Sequence, residues 1–302
     1  MIHMINMNTN TQNLGLWYYK TFFEKFSEEC NLFLNAEWEK GQKLIQKKHW
    51  TLCNLFLNAE WEKGPIDPLS GNAILKNPKA THNQEITTTY QGLVCGIGYD
   101  HEMNIPEIKD ELKHGLSFDF TTGQPYIPGS SIKGVLRYAF RNNEFVIMAI
   151  NTLLNKKELS KDKKDSLKKI IENIDWGLME KDIFEGISYV NGENKSPYQS
   201  DVFFDAFISA TYKKNNKKIL ADDVSACHQD WTKPNKVIED INMIRFLKVR
   251  SGVTFTVEFR LYDSIINEDI KLTRDLKKML FIQILKTWGV GAKTNVGYGQ
   301  FS

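Results

Sequence analysis

The sequence is poor in several features that define large classes of protein. Only four of its 302 residues are cysteines, and they stand far apart without a CxxC pair, so we expect reduced thiols and no zinc framework. The longest apolar run, residues 145–150, is far shorter than the roughly 20 residues of a membrane-spanning helix. Eight prolines and 19 glycines are too few for a collagen-like or low-complexity chain. Residues 1–13 are polar and lack the pattern of a signal peptide, so we expect a protein of the cytoplasm.

The charges of the chain nearly cancel. Lys and Arg together number 39 and Asp and Glu 37, so the formal net charge is +2. This balance neither requires nor excludes a nucleic-acid partner, because a local stripe of lysines binds phosphates whatever the sum is. With 41% hydrophobic and 25% charged residues, the composition is that of a globular protein with one large core or two modest ones.

The N-terminal part of the chain contains an exact repeat. The segment CNLFLNAEWEKG occupies residues 30–41 and again residues 53–64. Two perfect copies and no more are unlike a solenoid, which has many degenerate copies. A recent local duplication and a fault in the assembly of the sequence explain the identity equally well. Apolar residues at helical spacing predict a packed helix, so we expect residues 1–84 to form a helical extension and assign it no function.

The remainder of the chain, residues 85–302, alternates between strand and helix patterns. Residues 253–261 carry an apolar side chain at every second position, which predicts a half-buried strand. An apolar helical stripe begins after Ser130 and Ser131, either of which is expected to cap the helix, and residues 273–288 form a second amphipathic helix. Further predicted elements are strands at residues 85–98, at 202–212, from Ile219 onward and at 298–301, and a lysine-rich solvated helix within 155–173.

This order of elements predicts the fold class. Strand, helix, strand, strand, helix and strand follow one another with long inserts between them. The order is typical of an α+β fold of the ferredoxin-like (RRM-like, split βαβ) type, in which both helices cover one face of an antiparallel sheet. The other face is then available to a ligand or partner. Many functions use this fold, so it does not decide what the protein does.

The strongest functional pattern is WGVGAKTNVGYGQF at residues 288–301. Exposed main-chain N–H groups in such a glycine-rich loop form an anion-binding concavity, with Lys293 and Thr294 as nearby donors. The loop is not a nucleotide P-loop, because that motif needs glycines where the chain has Thr287 and Ala292. A tight turn that merely reverses the chain is the alternative. The four glycines are Gly289, Gly291, Gly297 and Gly299.

The second functional pattern is GLSFDFTTGQPYIPGSSIKGVLR at residues 115–137. Ser130 and Ser131 open a helix whose free N–H groups favour an anion. Lys133 and Arg137 are four residues apart and therefore lie on one face of that helix. The alternative is a capped helix with two solvated cations.

Together these segments resemble the RAMP superfamily of CRISPR-associated RNA-binding proteins. Within it, the chain is most similar to the sixth RAMP subunit of type III-B (Cmr) effector complexes. The resemblance covers residues 85–302, and the PGSSIKG segment paired with the glycine-rich end is specific to the superfamily. It is carried by residues 93–98 with Tyr99 and His101, Gly115-Leu116, Phe118-Asp119, Thr122-Gly123, residues 125–137, residues 202–206 and residues 288–301.

The resemblance implies a subunit that binds RNA without cutting it and uses neither metal nor cofactor. Such a subunit holds the 3′ part of the CRISPR RNA at the end of the backbone filament in antiviral defence. Its partners are the CRISPR RNA and, through it, target RNA, together with other RAMP subunits, the small helical subunit and the neighbouring backbone subunit. Guide sequences vary, so the protein must hold phosphate and sugar and leave base edges free. The implied RNA contacts are Ser130, Ser131, Lys133, Arg137, Gly289, Gly291, Lys293, Thr294, Gly297 and Gly299.

A lysine-rich segment, residues 213–218, is a third candidate. An Asn-Asn centre between extended segments predicts a hairpin tip, although a looser loop fits as well. Four cations at such a tip could reach along a nucleic-acid strand, meet an acidic neighbour or simply be solvated.

The rival interpretation is a RAMP endoribonuclease. Cleavage would use a metal held by Asp222 or Asp223, or a histidine that moves the 2′-OH proton, for which His101, His114 and His228 are the candidates. None of these residues has a spacing that identifies a base, a nucleophile or a metal site. The two aspartates suit a turn equally well. We therefore expect a protein that is not an enzyme.

Overall fold

The computed structural model describes residue 77 and residues 79–96, 116–119, 124–209, 219–228 and 241–302. The predicted helical extension with its repeat and the lysine-rich segment 213–218 lie outside these residues. The predicted domain boundary after residue 84 stays a prediction. The chain divides into two compact units. The sheet unit comprises, of the described residues, 77–95, 127–209 and 251–302, and the ribbon unit the rest.

The described residues combine helices with antiparallel strands, which is an α+β fold. The strands are β1 His82–Thr87, β2 Val202–Phe203, β3 Phe207–Ile208, β4 Leu220–His228, β5 Ile241–Val249, β6 Thr254–Arg260, β7 Ser264–Ile265 and β8 Lys271–Leu272. The helices are α1 Gly129–Arg141, α2 Asn143–Leu154, α3 Lys161–Asn173, α4 Trp176–Phe184 and α5 Arg274–Trp288. None of the described helices is long and apolar enough to span a membrane.

The sheet unit is organised around β6. This strand pairs antiparallel with β1 on one side and with both β2 and β3 on the other. The C-terminal segment joins beyond β1 through an antiparallel bridge between Thr88 and Phe301. The spatial order is therefore C-terminal segment, β1, β6 and then β2 with β3. Helix α1 lies in the chain between β1 and β2, and α5 between β6 and the C-terminal segment.

An aromatic core joins the sheet to its helices. Phe255, Val257 and Phe259 of β6 are 0% exposed, so the predicted alternation of this strand is confirmed. Their face of the sheet meets α5, where the Phe259 and Phe281 ring centroids are 5.7 Å apart and approach edge to face. Phe140 of α1 lies 6.0 Å from the same Phe281 ring. Each fully buried side chain of this kind contributes about 1.5–3 kcal/mol to folding.

Two predicted strands have different bounds in the structure. Strand β1 begins at His82 and ends at Thr87, well before the predicted end at residue 98, because the chain turns at residues 90–91. The strand predicted at residues 202–212 is interrupted between β2 and β3. Asp205 there accepts a hydrogen bond from the Gly129 amide, and Ala206 pairs with Ile127, so this stretch leaves the β6 ladder.

In the ribbon unit, β4 and β5 pair antiparallel over nine residues each. The strand predicted from Ile219 onward is therefore confirmed as β4. In the described residues β2 and β3 pair with β6 and β4 pairs with β5, and the predicted hairpin tip at residues 213–218 lies outside them. In the sheet unit, the predicted lysine-rich helix is α3. It begins at Lys161, six residues after the predicted start at 155.

Helix α5 contains a buried ion pair that its sequence pattern does not reveal. The Lys277 side chain is 0% exposed, and its Nζ lies 2.6 Å from Oδ2 of Asp201, which is 2% exposed. The other Asp201 oxygen accepts the Tyr262 amide at 2.8 Å. Burial raises the pKa of Asp201 and lowers the pKa of Lys277, and their mutual attraction opposes both shifts. The pair links the chain just before β2 to α5.

Candidate nucleic-acid interface

Three of the four glycines in the C-terminal loop are required by contacts within the protein. A Cβ atom on Gly299 would lie 1.9 Å from the Val290 carbonyl oxygen, and one on Gly291 would lie 2.3 Å from the Val94 carbonyl oxygen. On Gly289 it would lie 2.6 Å from the carbonyl oxygen of Gly299. All three also have positive φ angles, between 67° and 96°. The glycines thus serve chain packing first, whatever the loop binds.

The loop is fastened to residues 91–95, which we call the bridging segment. The Ala292 amide donates to the Val94 carbonyl at 2.8 Å, and the Gly299 amide donates to the Gly92 carbonyl at 2.7 Å. Within the loop, the Val290 amide donates to Gly299 at 2.9 Å. These hydrogen bonds give the loop a defined shape, so its outer turn is presented in one conformation.

The outer turn of the loop is its accessible part. Residues Thr294–Val296 form a single 3₁₀ turn, preceded by Lys293 in the left-handed region at φ 59°. Asn295 and Val296 are exposed, and Lys293 and Thr294 are half-buried. By contrast, Gly289 and Gly299 are buried. Of the predicted contacts in the loop, Gly291, Lys293, Thr294 and Gly297 are therefore the accessible ones.

The start of α1 is capped by a residue outside the two motif segments. The helix begins at Gly129 after Pro128, and no side chain at that position caps it, so the predicted serine cap is wrong. Instead, Oδ1 of Asp205 accepts the Gly129 amide at 2.6 Å. A Cβ on Gly129 would lie 2.4 Å from the Phe203 carbonyl oxygen. The chain before β3 packs against the helix start too closely for a side chain, and its carboxylate takes the place of a serine.

The two motif segments meet across the bridging segment. Ser131 Oγ of α1 lies 4.0 Å from Sγ of Cys95, and the preceding residue, Val94, accepts the Ala292 amide. Ser130 is exposed and Ser131 is half-buried. The structure therefore places the helix start and the glycine-rich loop against consecutive residues of the bridging segment. Burial raises the pKa of the Cys95 thiol to about 11, so this contact is made by a neutral thiol at physiological pH.

The two predicted cations of α1 differ in their surroundings. Lys133 is half-buried and has no ion pair with any residue that the structure describes. Arg137 donates from Nε to Glu180 and from Nη2 to Glu185, and these partners raise its pKa, the Glu180 hydrogen bond most strongly. Arg141 joins the same Glu180 at 3.0 Å. Arg137 thus ties α1 to α4, and its contact with RNA stays a prediction.

The acidic residues of the ribonuclease interpretation lie in a strand. Asp222 and Asp223 belong to β4, so the alternative that they form a turn does not hold. Consecutive residues of a strand point to opposite faces, which separates the two carboxylates. Asp223 is also paired with Lys248 at 2.5 Å. His101 and His114 lie outside the described residues, and the described residues contain no group of three or more His, Cys, Asp and Glu side chains placed to hold a metal ion.

Comparison with models of protein families shows to which family the chain belongs. The model of the RAMP superfamily matches residues 71–302. The chain belongs to the RAMP superfamily. No curated protein sequence matches this RAMP protein.

Three solved structures illustrate what this RAMP protein is similar to. A chain in the cryo-EM structure of the type III-B Cmr-beta bound to cognate target RNA is 20% identical, with a TM-score of 0.41, and the alignment covers 73% of this chain and 57% of that one. The crystal structure of Cmr6 from Pyrococcus furiosus is 23% identical, with a TM-score of 0.32 and coverages of 73% and 96%. A chain of the Csm–crRNA–target RNA ternary complex of a type III-A CRISPR-Cas system is 14% identical, with a TM-score of 0.24 and coverages of 54% and 42%. The RAMP protein thus spans just over half the length of the Cmr-beta chain it matches.

Proposed function

We propose that this RAMP protein is a non-catalytic RNA-binding subunit of a type III-B (Cmr) effector complex. In this role it holds the 3′ part of the CRISPR RNA at the end of the backbone filament, beside other RAMP subunits, in the cytoplasm. Its core is a ferredoxin-like domain. The spatial order of C-terminal segment, β1, β6 and β2 with β3, with one helix in each split βαβ unit, supports that assignment.

The observation that carries the proposal is the meeting of the two motif segments across the bridging segment. Ser131 and Ala292 contact the consecutive residues Cys95 and Val94. Lys133 lies in the second turn of the same helix, and Lys293 lies two residues after Gly291 in the outer turn. Main-chain N–H groups and lysine side chains suit a ribose-phosphate strand, because they hold it without reading base edges.

The test is the salt dependence of RNA binding by the purified full chain. Removing one cation that neutralises a phosphate of single-stranded RNA should reduce the slope of log K against log salt concentration by about 0.7. The variants Lys133→Ala and Lys293→Ala should each show this reduction, and the double variant about twice as much. Lys168→Ala and Lys169→Ala, which change exposed lysines of α3, serve as matched controls with the same change of charge. Slopes that fall equally in all four single variants would point to non-specific attraction and not to a site.

Arg137→Ala is measured separately because its guanidinium already pairs with two carboxylates. A reduction of the slope by about 0.7 would make Arg137 a phosphate ligand, and an unchanged slope would leave it a link between helices. The ribonuclease alternative is tested with labelled RNA in Mg²⁺ or Mn²⁺. Cleavage by the wild type that is abolished in Asp222→Ala or Asp223→Ala would overturn the non-catalytic role.

A further inference from the structure

Gly134 is a helical glycine that packing among the described residues does not explain. It lies in the interior of α1, where glycine is less stable than alanine. A Cβ built there meets no atom of the described structure within 4 Å. Gly129 and Gly291 are different, since a Cβ on either would overlap main-chain atoms. In the part of the chain that the structure describes, nothing covers the helix surface at Gly134, so a ligand can approach the main chain closely there.

Tyr138 follows one turn later on the same face of α1. Its side chain is 62% exposed, yet its ring is positioned by Phe145, whose centroid is 5.8 Å away. Phe145 in turn meets Trp288 edge to face, with centroids 4.3 Å apart and planes at 86°. Trp288 is the last residue of α5 and directly precedes the glycine-rich loop. A row of three aromatic rings thus runs from the outer face of α1 to the base of that loop.

The charge of this surface favours a polyanion as its occupant. Helix α1 contains three basic residues and no acidic one. Two of them, Arg137 and Arg141, are paired with Glu180, whereas Lys133 beside Gly134 has no ion pair in the described part of the chain. An exposed aromatic ring on a basic helix is the combination that sites for single-stranded nucleic acid use. A protein partner would also pack against the ring, but only an acidic partner would be attracted by the basic residues of the helix.

We infer that Tyr138 stacks on an unpaired base of the bound RNA strand and that the sugar-phosphate backbone passes over Gly134. This inference rests on the proposed function and adds to it Tyr138, a base contact outside the two motifs, and a path for the RNA backbone over Gly134. Stacking is compatible with guides of any sequence, because every base offers a π face. The ring would therefore fix the path of the RNA strand without selecting its base sequence.

The first test is the affinity of the full chain for fluorescein-labelled single-stranded RNA, measured by anisotropy. Tyr138→Ala should bind about 5- to 150-fold more weakly, the decrease that removal of one aromatic–base stack causes, with an unchanged salt slope. Tyr138→Phe should bind like the wild type, because it keeps the ring. Tyr198→Ala, which removes another exposed tyrosine (80% exposed), is the matched control and should also bind like the wild type. In RNA carrying 2-aminopurine, the base quenched by the wild type should regain fluorescence in Tyr138→Ala alone.

The second test uses the opposite effects expected of Gly134→Ala. The variant should raise the midpoint of thermal unfolding, because alanine favours the helix and meets no atom of the described structure, and it should weaken RNA binding. Unchanged binding would overturn the passage of the backbone over Gly134. Wild-type RNA affinity in Tyr138→Ala would overturn the stack. The same result together with impaired assembly with another protein would mean that the ring binds protein and not RNA. A wild-type chain that binds no RNA would overturn both this inference and the proposed function.

Discussion

Removal of the buried ammonium of Lys277 should destabilise the fold severely. The variant Lys277→Met keeps the length and apolar stem of the side chain but leaves the Asp201 carboxylate, 2% exposed, without its counter-charge. Removing one partner of a buried pair costs about 3–5 kcal/mol. A typical domain has about 5–15 kcal/mol of stability, so this cost is a large fraction of the total.

The magnitude follows from the competition between attraction and desolvation. At the observed 2.6 Å, and with an effective dielectric constant of about 20, the attraction is about 6 kcal/mol. Desolvation costs several kcal/mol for each ion, so the intact pair is close to neutral for stability. The double variant Asp201→Asn/Lys277→Met should therefore recover most of the stability, because asparagine still accepts the Tyr262 amide that Asp201 accepts.

The assay is urea unfolding of the wild type, both single variants and the double variant, analysed as a double-mutant cycle. The expected coupling free energy is about 3 kcal/mol. A destabilisation below about 1 kcal/mol in Lys277→Met, with a coupling near zero, would refute the reasoning, since it would mean that water already solvates the carboxylate.

Three further predictions concern the candidate interface. Since burial raises the pKa of Cys95 from 9.0 to about 11, its neutral thiol adds stability that is complete below pH 9 and disappears as the pH rises toward 11. The stability lost between pH 9 and pH 11 is about 3 kcal/mol. The unfolding free energy of Cys95→Ala, measured over the same pH range, should therefore fall less steeply than that of the wild type. Gly299→Ala should lower the thermal midpoint far more than Gly297→Ala, because only the former drives a Cβ into a main-chain oxygen, while both have positive φ. Arg137→Ala should be destabilised by about 1.5–3 kcal/mol in chemical denaturation, as it removes charged hydrogen bonds between helices, and Arg137→Lys should recover only part.

The sequence by itself determined the elements whose signal is local. Apolar residues at every second position between Val253 and Leu261 can face one side only if the segment is extended, and β6 is the centre of the sheet. The stripe that includes Ile132, Leu136 and Phe140 has the helical period, and all three are buried in α1. The paired PGSSIKG and glycine-rich segments identified the superfamily, because their residue types at fixed spacing are a property of the chain alone.

The tertiary structure decided what those residues contact. Asp205 caps α1 from a distant part of the chain, and Lys277 is buried although lysines on amphipathic helices are usually solvated. The glycines at 289, 291 and 299 lie where two stretches of main chain come too close for a side chain, which the sequence did not show, and their contact with RNA stays a prediction. Burial, close approach and pairing depend on partners remote in sequence, and they exist only once the chain has folded and brought those partners together.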